Sequence, residues 1–190
     1  MARIGMRYPR YSVVTVTTDG SGNESETYGP VKTMGKAISA SSSISFTSND
    51  LYADDGKAES VREFSSGTVT VNTDDIENEN LAELTGASLT NDGDIDAGAD
   101  DTPPYVRFGY VRKRMKNGVN QYGGIIYKRV KFTPPNEEDN TKGESITFGT
   151  PTMTGDISRA ADGKWRMTSA WMETEALAVA WLESKLRPQT

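Results

Sequence analysis

The sequence reads as mainly β, with one short helix in mid-chain and a second at the C-terminal end. Apolar residues alternate at period two in several short runs, and Gly, Asn, Asp and Pro punctuate the joints between them. Only 35% of the 190 residues are hydrophobic and 18 are Gly, which leaves a small core and much turn. The sum is six to eight strands in a single domain spanning 1–190, with no internal repeat, coiled coil or low-complexity segment.

Residues 1–11 (MARIGMRYPRY) show neither helical nor strand periodicity and read as an N-terminal arm. Ser12 to Thr18 is a β-branched run, closed by the turn signal Asp19-Gly20-Ser21-Gly22-Asn23. Lys36 to Thr47 carries the clearest alternation. Ile38, Ala40, Ile44 and Phe46 share one parity with Ser42, against Ser39, Ser41, Ser43, Ser45 and Thr47 on the other. That pattern predicts an apolar face inward and a hydroxyl face outward, toward solvent or another subunit. About residues 49–66, the chain is polar and poorly periodic yet carries Leu51, Tyr52, Val61 and Phe64. It reads as a long inter-strand loop, a kind of segment that usually carries function.

Gly67 to Thr73 returns to a strand with Val69 and Val71 on one face. Asp74 to Thr85 predicts a short helix, with Thr73 as N-cap, Asp74 and Asp75 in the first turn and Gly86 as the stop. Thr90 to Pro104 is an acidic surface loop. Tyr105 to Met115 and Gln121 to Phe132 predict two strands joined through Asn117-Gly118, a hairpin signal. Thr133 to Gly143 reads as loop, and Glu144 to Thr150 and Lys164 to Trp171 as strands. Residues 172–186 form the most regular helix. Met172, Ala176, Val179, Leu182 and Leu186 make one stripe, and Leu177 and Trp181 point to nearly the opposite side. A helix apolar on two sides needs two partners, one its own sheet and the other the rest of the domain or a neighbouring subunit.

The chain has no Cys and no His. Disulfides, thiolate metal sites and a Cys nucleophile are excluded, and the commonest general base is missing. There is no phosphate-binding glycine loop and no nucleophile elbow. Asp92-Gly93-Asp94-Ile95-Asp96 departs from a calcium loop at Ala97 and Pro103, where Gly and Glu are required. No enzyme, cofactor or metal is expected. No apolar leader follows Met1 and no apolar run has membrane-spanning length, so synthesis in a cytoplasm and no membrane partner are expected.

The formal charge of −6 is unevenly placed. From Tyr105 to Lys131 there is no Asp or Glu, while Arg107, Arg112, Lys113, Arg114, Lys116, Lys128, Arg129 and Lys131 all fall there. A basic stripe on an acidic chain attracts either nucleic acid or copies of itself. Interleaved aromatics (Tyr105, Phe108, Tyr110, Tyr122, Tyr127) fit a stacking platform, or a core-facing side with the cations paired to acidic loops.

An ordered series of segments resembles the major tail (tail tube) protein family of long-tailed bacteriophages. Lys36-Ala37-Ile38-Ser39-Ala40 followed by Leu51-Tyr52-Ala53-Asp54-Asp55 is similar to the family's strand-then-loop signature. Asp74-Asp75-Ile76 through Ala82-Glu83-Leu84-Thr85-Gly86 resembles its helix. Pro104 through Arg114, and Lys142 through Ile146 with Thr150-Pro151-Thr152, resemble its central and late strands. Trp181-Leu182 falls in the place of its terminal helix. The similarity runs over about residues 5–186.

The resemblance implies two packed, roughly orthogonal β-sheets, sandwich- or barrel-like, with a flanking helix, a long loop and a C-terminal helix. It implies hexameric rings stacked into a tail tube on a virion. Partners would be further copies of the chain, a tape-measure protein, tail terminator and distal tail proteins, and double-stranded DNA in transit. No catalytic residues come with the family. Inter-subunit candidates are Leu51, Tyr52, Asp54, Asp55 and Phe64 on the long segment, Arg112, Lys113 and Arg114 on the basic hairpin, and Trp181 on the last helix. The alternative reading is a β-sandwich that binds nucleic acid or carbohydrate.

Overall fold

The computed structural model describes residues 3–53, 56–136 and 149–188, the side chains of Arg3 and of positions 49–59 excepted. Its elements run β1 (Arg3–Thr18), β2 (Glu24–Tyr28), β3 (Lys32–Thr33), β4 (Ala37–Ala53), β5 (Gly56–Thr73), α1 (Asn78–Thr85), β6 (Ser88–Leu89), β7 (Ile95–Asp96), β8 (Tyr105–Lys116), β9 (Val119–Phe132), β10 (Thr152–Ser158), β11 (Arg166–Thr168) and α2 (Glu175–Leu186). The protein is mainly β, as the sequence indicates. Among the described residues, nine strands join into one antiparallel sheet along the path β2-β1-β8-β9-β10-β5-β4, with β3 beside β1 and β11 beside β9. β6 and β7 form a separate small ribbon.

The sheet curls, so that β4 at one end approaches β1 near the other. One face closes over the main core. Tyr11, Val69, Val71, Val106, Phe108, Tyr127, Val130, Phe132 and Met153 are there essentially solvent-free, and α1 adds Leu84. The opposite face of β8 and β9 is covered by α2, which buries Ala178, Leu182 and Leu186 against Val111 and Ile126. The central strands are therefore apolar-packed on both sides.

Several elements depart from the sequence reading. The expected N-terminal arm is strand from Arg3 onward, paired with β8 from Arg3↔Arg114 to Val14↔Tyr105. A register shift between Arg7 and Arg10 breaks its period and hides it from pattern analysis. Tyr8 sits at that bulge with φ 58°, a left-handed conformation that Asn or Gly adopts more readily. The expected long loop is not a loop either. β4 and β5 pair through the whole segment, from Ala37↔Thr73 to Ala53↔Gly56. A two-stranded ribbon with solvent on both faces needs no alternation, so its sequence looks irregular.

The mid-chain helix starts at Asn78, later than expected. Thr73 is still in β5, and Glu77 is the N-cap without a side-chain cap bond. The Asp74 carboxylate accepts instead from the backbone N–H of Lys36 and of Asp75, joining β5 to the start of β4. Gly86 does end the helix, at φ 78°, donating to Ala82 O; a Cβ there would lie 2.4 Å from Thr102 O. Asn117 and Gly118, at φ 51° and 77°, form the expected hairpin turn between β8 and β9.

β10 was not anticipated, because Pro151, Gly155 and Asp156 make its sequence look like a turn. Gly155 is there because a Cβ would come within 2.4 Å of Val130. The strand expected from Glu144 to Thr150 lies outside the described residues up to Phe148, and Gly149 and Thr150 are not strand. The strand expected from Lys164 shrinks to β11. The last helix begins at Glu175, and its N-cap Thr174 Oγ1 accepts from Leu177 N at 3.4 Å.

Candidate assembly surfaces

Two features leave the folded body unfinished: a projecting β-hairpin and a long free sheet edge. β5 pairs with β10 only from Gly67 to Asn72. Beyond that, from Ser66 back to Gly56, β5 has only β4 beside it among the described residues. From Gly56 to Ser66 the eleven residues of this ribbon span roughly 35 Å at ~3.3 Å each. A lone two-stranded ribbon is only marginally stable in water, so such an arm needs a partner to become rigid.

The root of the arm is clamped. Phe64 stacks on Trp165 with ring centroids 4.9 Å apart and planes at 13°. Arg159 donates to Phe64 O and lies 5.9 Å over its ring, with Glu63 at 3.9 Å. Phe64 is 8% exposed. It is thus an anchor inside its own subunit: the extra residue at the register shift, Ser65, turns it toward the core. Further out the ribbon is exposed, including Phe46 and Val61. Leu51 and Tyr52 lie on β4 near its tip, with side chains outside the described residues. Asp54 and Asp55 are outside them altogether.

The free edge belongs to β4, which among the described residues has only β5 beside it. From Ala37 to Ser48 it carries no charge and no proline. Natural edge strands are usually guarded by such residues, so this one is open to pairing with another chain.

The basic hairpin is quite different from what its sequence suggests. Arg107, Arg112, Lys128 and Arg129 are all under 9% exposed. The Arg107 guanidinium lies 4.3 Å over Tyr28 and donates to Lys185 O at 2.9 Å, near the end of α2. Arg129 donates to Glu24 and to Glu26, both at 2.7 Å. Lys128 is ion-paired with Asp162. Arg112 and Arg114 lie over the Trp171 ring at 5.5 and 4.0 Å, and Arg114 Nε donates to Gln121 Oε1. Arg112, a candidate contact residue, is buried within its own subunit. Lys113, 5.9 Å over Tyr122, and Arg114 are half-buried. The complementary acids come largely from β2 and the segment after β10 in the same subunit. The Arg129 pairs span 103 and 105 residues of sequence and the Lys128 pair 34, which no local pattern reveals.

Trp181 is also internal in part. A Cβ on Gly124 would sit 2.4 Å from its ring, so the indole fills the space that glycine leaves on β9. Leu177, by contrast, is exposed. Near it, the bulged Tyr8 borders a groove on α2 lined by Ala176, Val179 and Glu183. Arg7–Glu175 and Arg10–Glu183 ion pairs tie the bulge to the helix.

Glu26 is the electrostatic centre of the body. Burial alone would raise its carboxyl, but hydrogen bonds from Tyr28 Oη and Ala161 N and the nearby Arg129 outweigh burial and hold it below the usual carboxylate range. Its lowered folded value means stability is fully present above about pH 4.5 and is lost as pH falls through the folded value. Acid titration of the melting temperature should therefore fall more steeply in the native chain than in Glu26→Gln. Equal slopes would remove Glu26 from the acid-sensitive set.

No group of three or more metal-type side chains clusters among the described residues. No helix among them is long and apolar enough to cross a membrane. No protein-family model matches this chain, and no curated protein matches it in sequence.

Proposed function

We propose that this chain is a structural, non-catalytic subunit that closes into rings and stacks them into a tube of the phage tail kind. The observation that carries the reading is the β4–β5 hairpin. It leaves a well-packed body with no other described strand paired to it, beside an unguarded sheet edge. A ring needs two different patches that meet head to tail, and an edge that receives plus an arm that reaches fit that requirement. In this reading the curled sheet works as the two crossed layers implied by the family resemblance. The arm bridges successive rings, a tape-measure protein occupies the growing tube, tail terminator and distal tail proteins close its ends, and DNA passes later through the virion.

The internal pairing of Arg107, Lys128 and Arg129 counts against the nucleic-acid-binding alternative, because paired and buried cations release few counterions from DNA. Sedimentation velocity across a concentration series tests the proposal. The expected result is a shift from single subunits to ring-sized and larger species. A single-subunit boundary at every concentration, with or without added tail-initiating partners, would sink it.

A further inference from the structure

We infer that the tip of the β8–β9 hairpin is a docking surface, and that its partner is the acidic segment from Leu89 to Asp101 of a second copy of this chain. The inference rests on the reading of the chain as a self-assembling subunit and adds to it which two surfaces meet. Past the buried middle of the two strands, six consecutive residues, Met115 to Asn120, are exposed. Met115 is 48% and Val119 59% exposed. Ile4, in the register shift of β1 alongside Lys113 and Arg114, is 49% exposed. Lys116 pairs in register with Val119, and Lys113 shares a face of β8 with Met115. The tip is therefore aliphatic and basic on both faces. Lys128 and Arg129 find their acids within the subunit, but among the described residues no ion pair involves Lys113, Arg114 or Lys116.

The same chain carries the complement. From Ala87 to Val106 there is no Lys or Arg, and Asp92, Asp94, Asp96, Asp100 and Asp101 all fall there. The first four are exposed and Asp101 is half-buried, and none is in an ion pair among the described residues. The β6–β7 ribbon within this segment exposes Leu89 at 44%, with Ile95 opposite it in register. Acids thus surround an apolar centre, as lysines surround one at the tip. Asp100 and Asp101 stand just before Tyr105, and the hairpin turn follows Lys116. The twelve residues of β8 hold the two apart by roughly 36 Å at ~3.3 Å each, so these acids do not reach the tip of their own subunit. The two surfaces differ, so copies joined through them meet head to tail, as closure of a ring requires. Nucleic acid would answer the lysines alone and leave Ile4, Met115 and Val119 against a charged backbone. Leu89 and Ile95 offer those side chains apolar surface.

Charge reversal at each surface, separately and together, tests the pairing. Lys113→Glu with Lys116→Glu, and Asp96→Lys with Asp100→Lys, alter half-buried or exposed side chains, and a melting curve checks that each variant folds. Either pair alone should abolish the sedimenting species larger than one subunit that the native chain forms. All four substitutions in one chain should restore them, because an acidic tip then meets a basic segment. Native assembly by either pair alone, or no recovery in the folded fourfold variant, overturns the inference and leaves the tube reading standing. A second measurement needs no variant. Native assemblies are treated with a carbodiimide, which joins a Lys amine directly to a carboxylate, and the digested peptides are read by mass spectrometry. The expected product joins Lys113 or Lys116 to Asp100 or Asp101, a link that only two chains can make. Links confined to other surfaces would overturn the pairing. Tubes of the tip variant that stay intact but no longer bind a short DNA duplex would make nucleic acid the partner and equally overturn it. If the native chain forms no assembly at all, the tube reading fails and this inference with it.

Discussion

Replacing residues 49–61 with Asn-Gly should leave a folded subunit that no longer builds tubes. The Ser48↔Arg62 pair would then flank a two-residue hairpin turn, the geometry that β8 and β9 already use at Asn117-Gly118. The clamp of Phe64 on Trp165 and the Arg159 hydrogen bond stay in place. Ser60, Val61, Arg62 and Glu63 are exposed, so the body loses no described core residue. Sedimentation should show subunits or single rings at concentrations where the native chain forms long species. Tubes of unaltered length would mean that the arm is not the contact between rings.

Arg129→Ala should be the most destabilising single substitution in the basic hairpin, by roughly 3–5 kcal/mol, because it leaves buried carboxylate charge without its partner. The Arg129 side chain is 9% exposed and that of Glu26 6%, and Glu24 and Glu26 both accept from it at 2.7 Å. The same bonds fasten β2, an end strand of the sheet, across to β9. Glu26 keeps its bonds from Tyr28 and Ala161 in the variant, but these do not neutralise its charge. Lys113→Ala, a half-exposed cation near the hairpin end, should cost about 1 kcal/mol or less by comparison. Chemical denaturation of both variants checks the contrast. Similar midpoints for the two would show that the Arg129 cluster is not a structural centre.

Where one face of an element meets the core and the other meets water, the sequence made the element legible. The Asn-Gly turn, the Gly86 stop and the terminal helix are of that kind, whereas the alternating run Lys36 to Thr47 only partly turns its apolar parity inward: Ala40 and Ile44 are half-buried, but Ile38 and Phe46, each at a register shift, are exposed. Two other kinds of strand escaped. β8 and β9 are covered on both faces, so their charged residues read as a surface stripe although Arg107 and Lys128 are buried beneath partners distant in sequence. The β4–β5 arm is exposed on both faces where its side chains are described, from Ser45 to Ser48 and from Ser60 to Glu63, so its sequence reads as a loop. Bulges at Tyr8 and Ser65 added phase breaks that a fixed period cannot follow.

Three of the candidate contact residues pack wholly or partly within their own subunit. Phe64, Arg112 and Trp181 are large groups that look like interface anchors, and each is drawn into its own subunit by a space or a ring that pairing across the sheet creates. The assembly surface that carries the tube proposal is instead a backbone feature, an edge and a hairpin that no other described strand pairs with. Its only signal in the sequence was the unbroken uncharged stretch from Ala37 to Ser48.

Negative-stain electron microscopy of the purified full chain at high concentration, alone and with a tail-initiating complex, bears most directly on self-assembly. Rings with a central hole, stacked into tubes of constant width, are the expected result. Uniformly dispersed single particles in both preparations would contradict it.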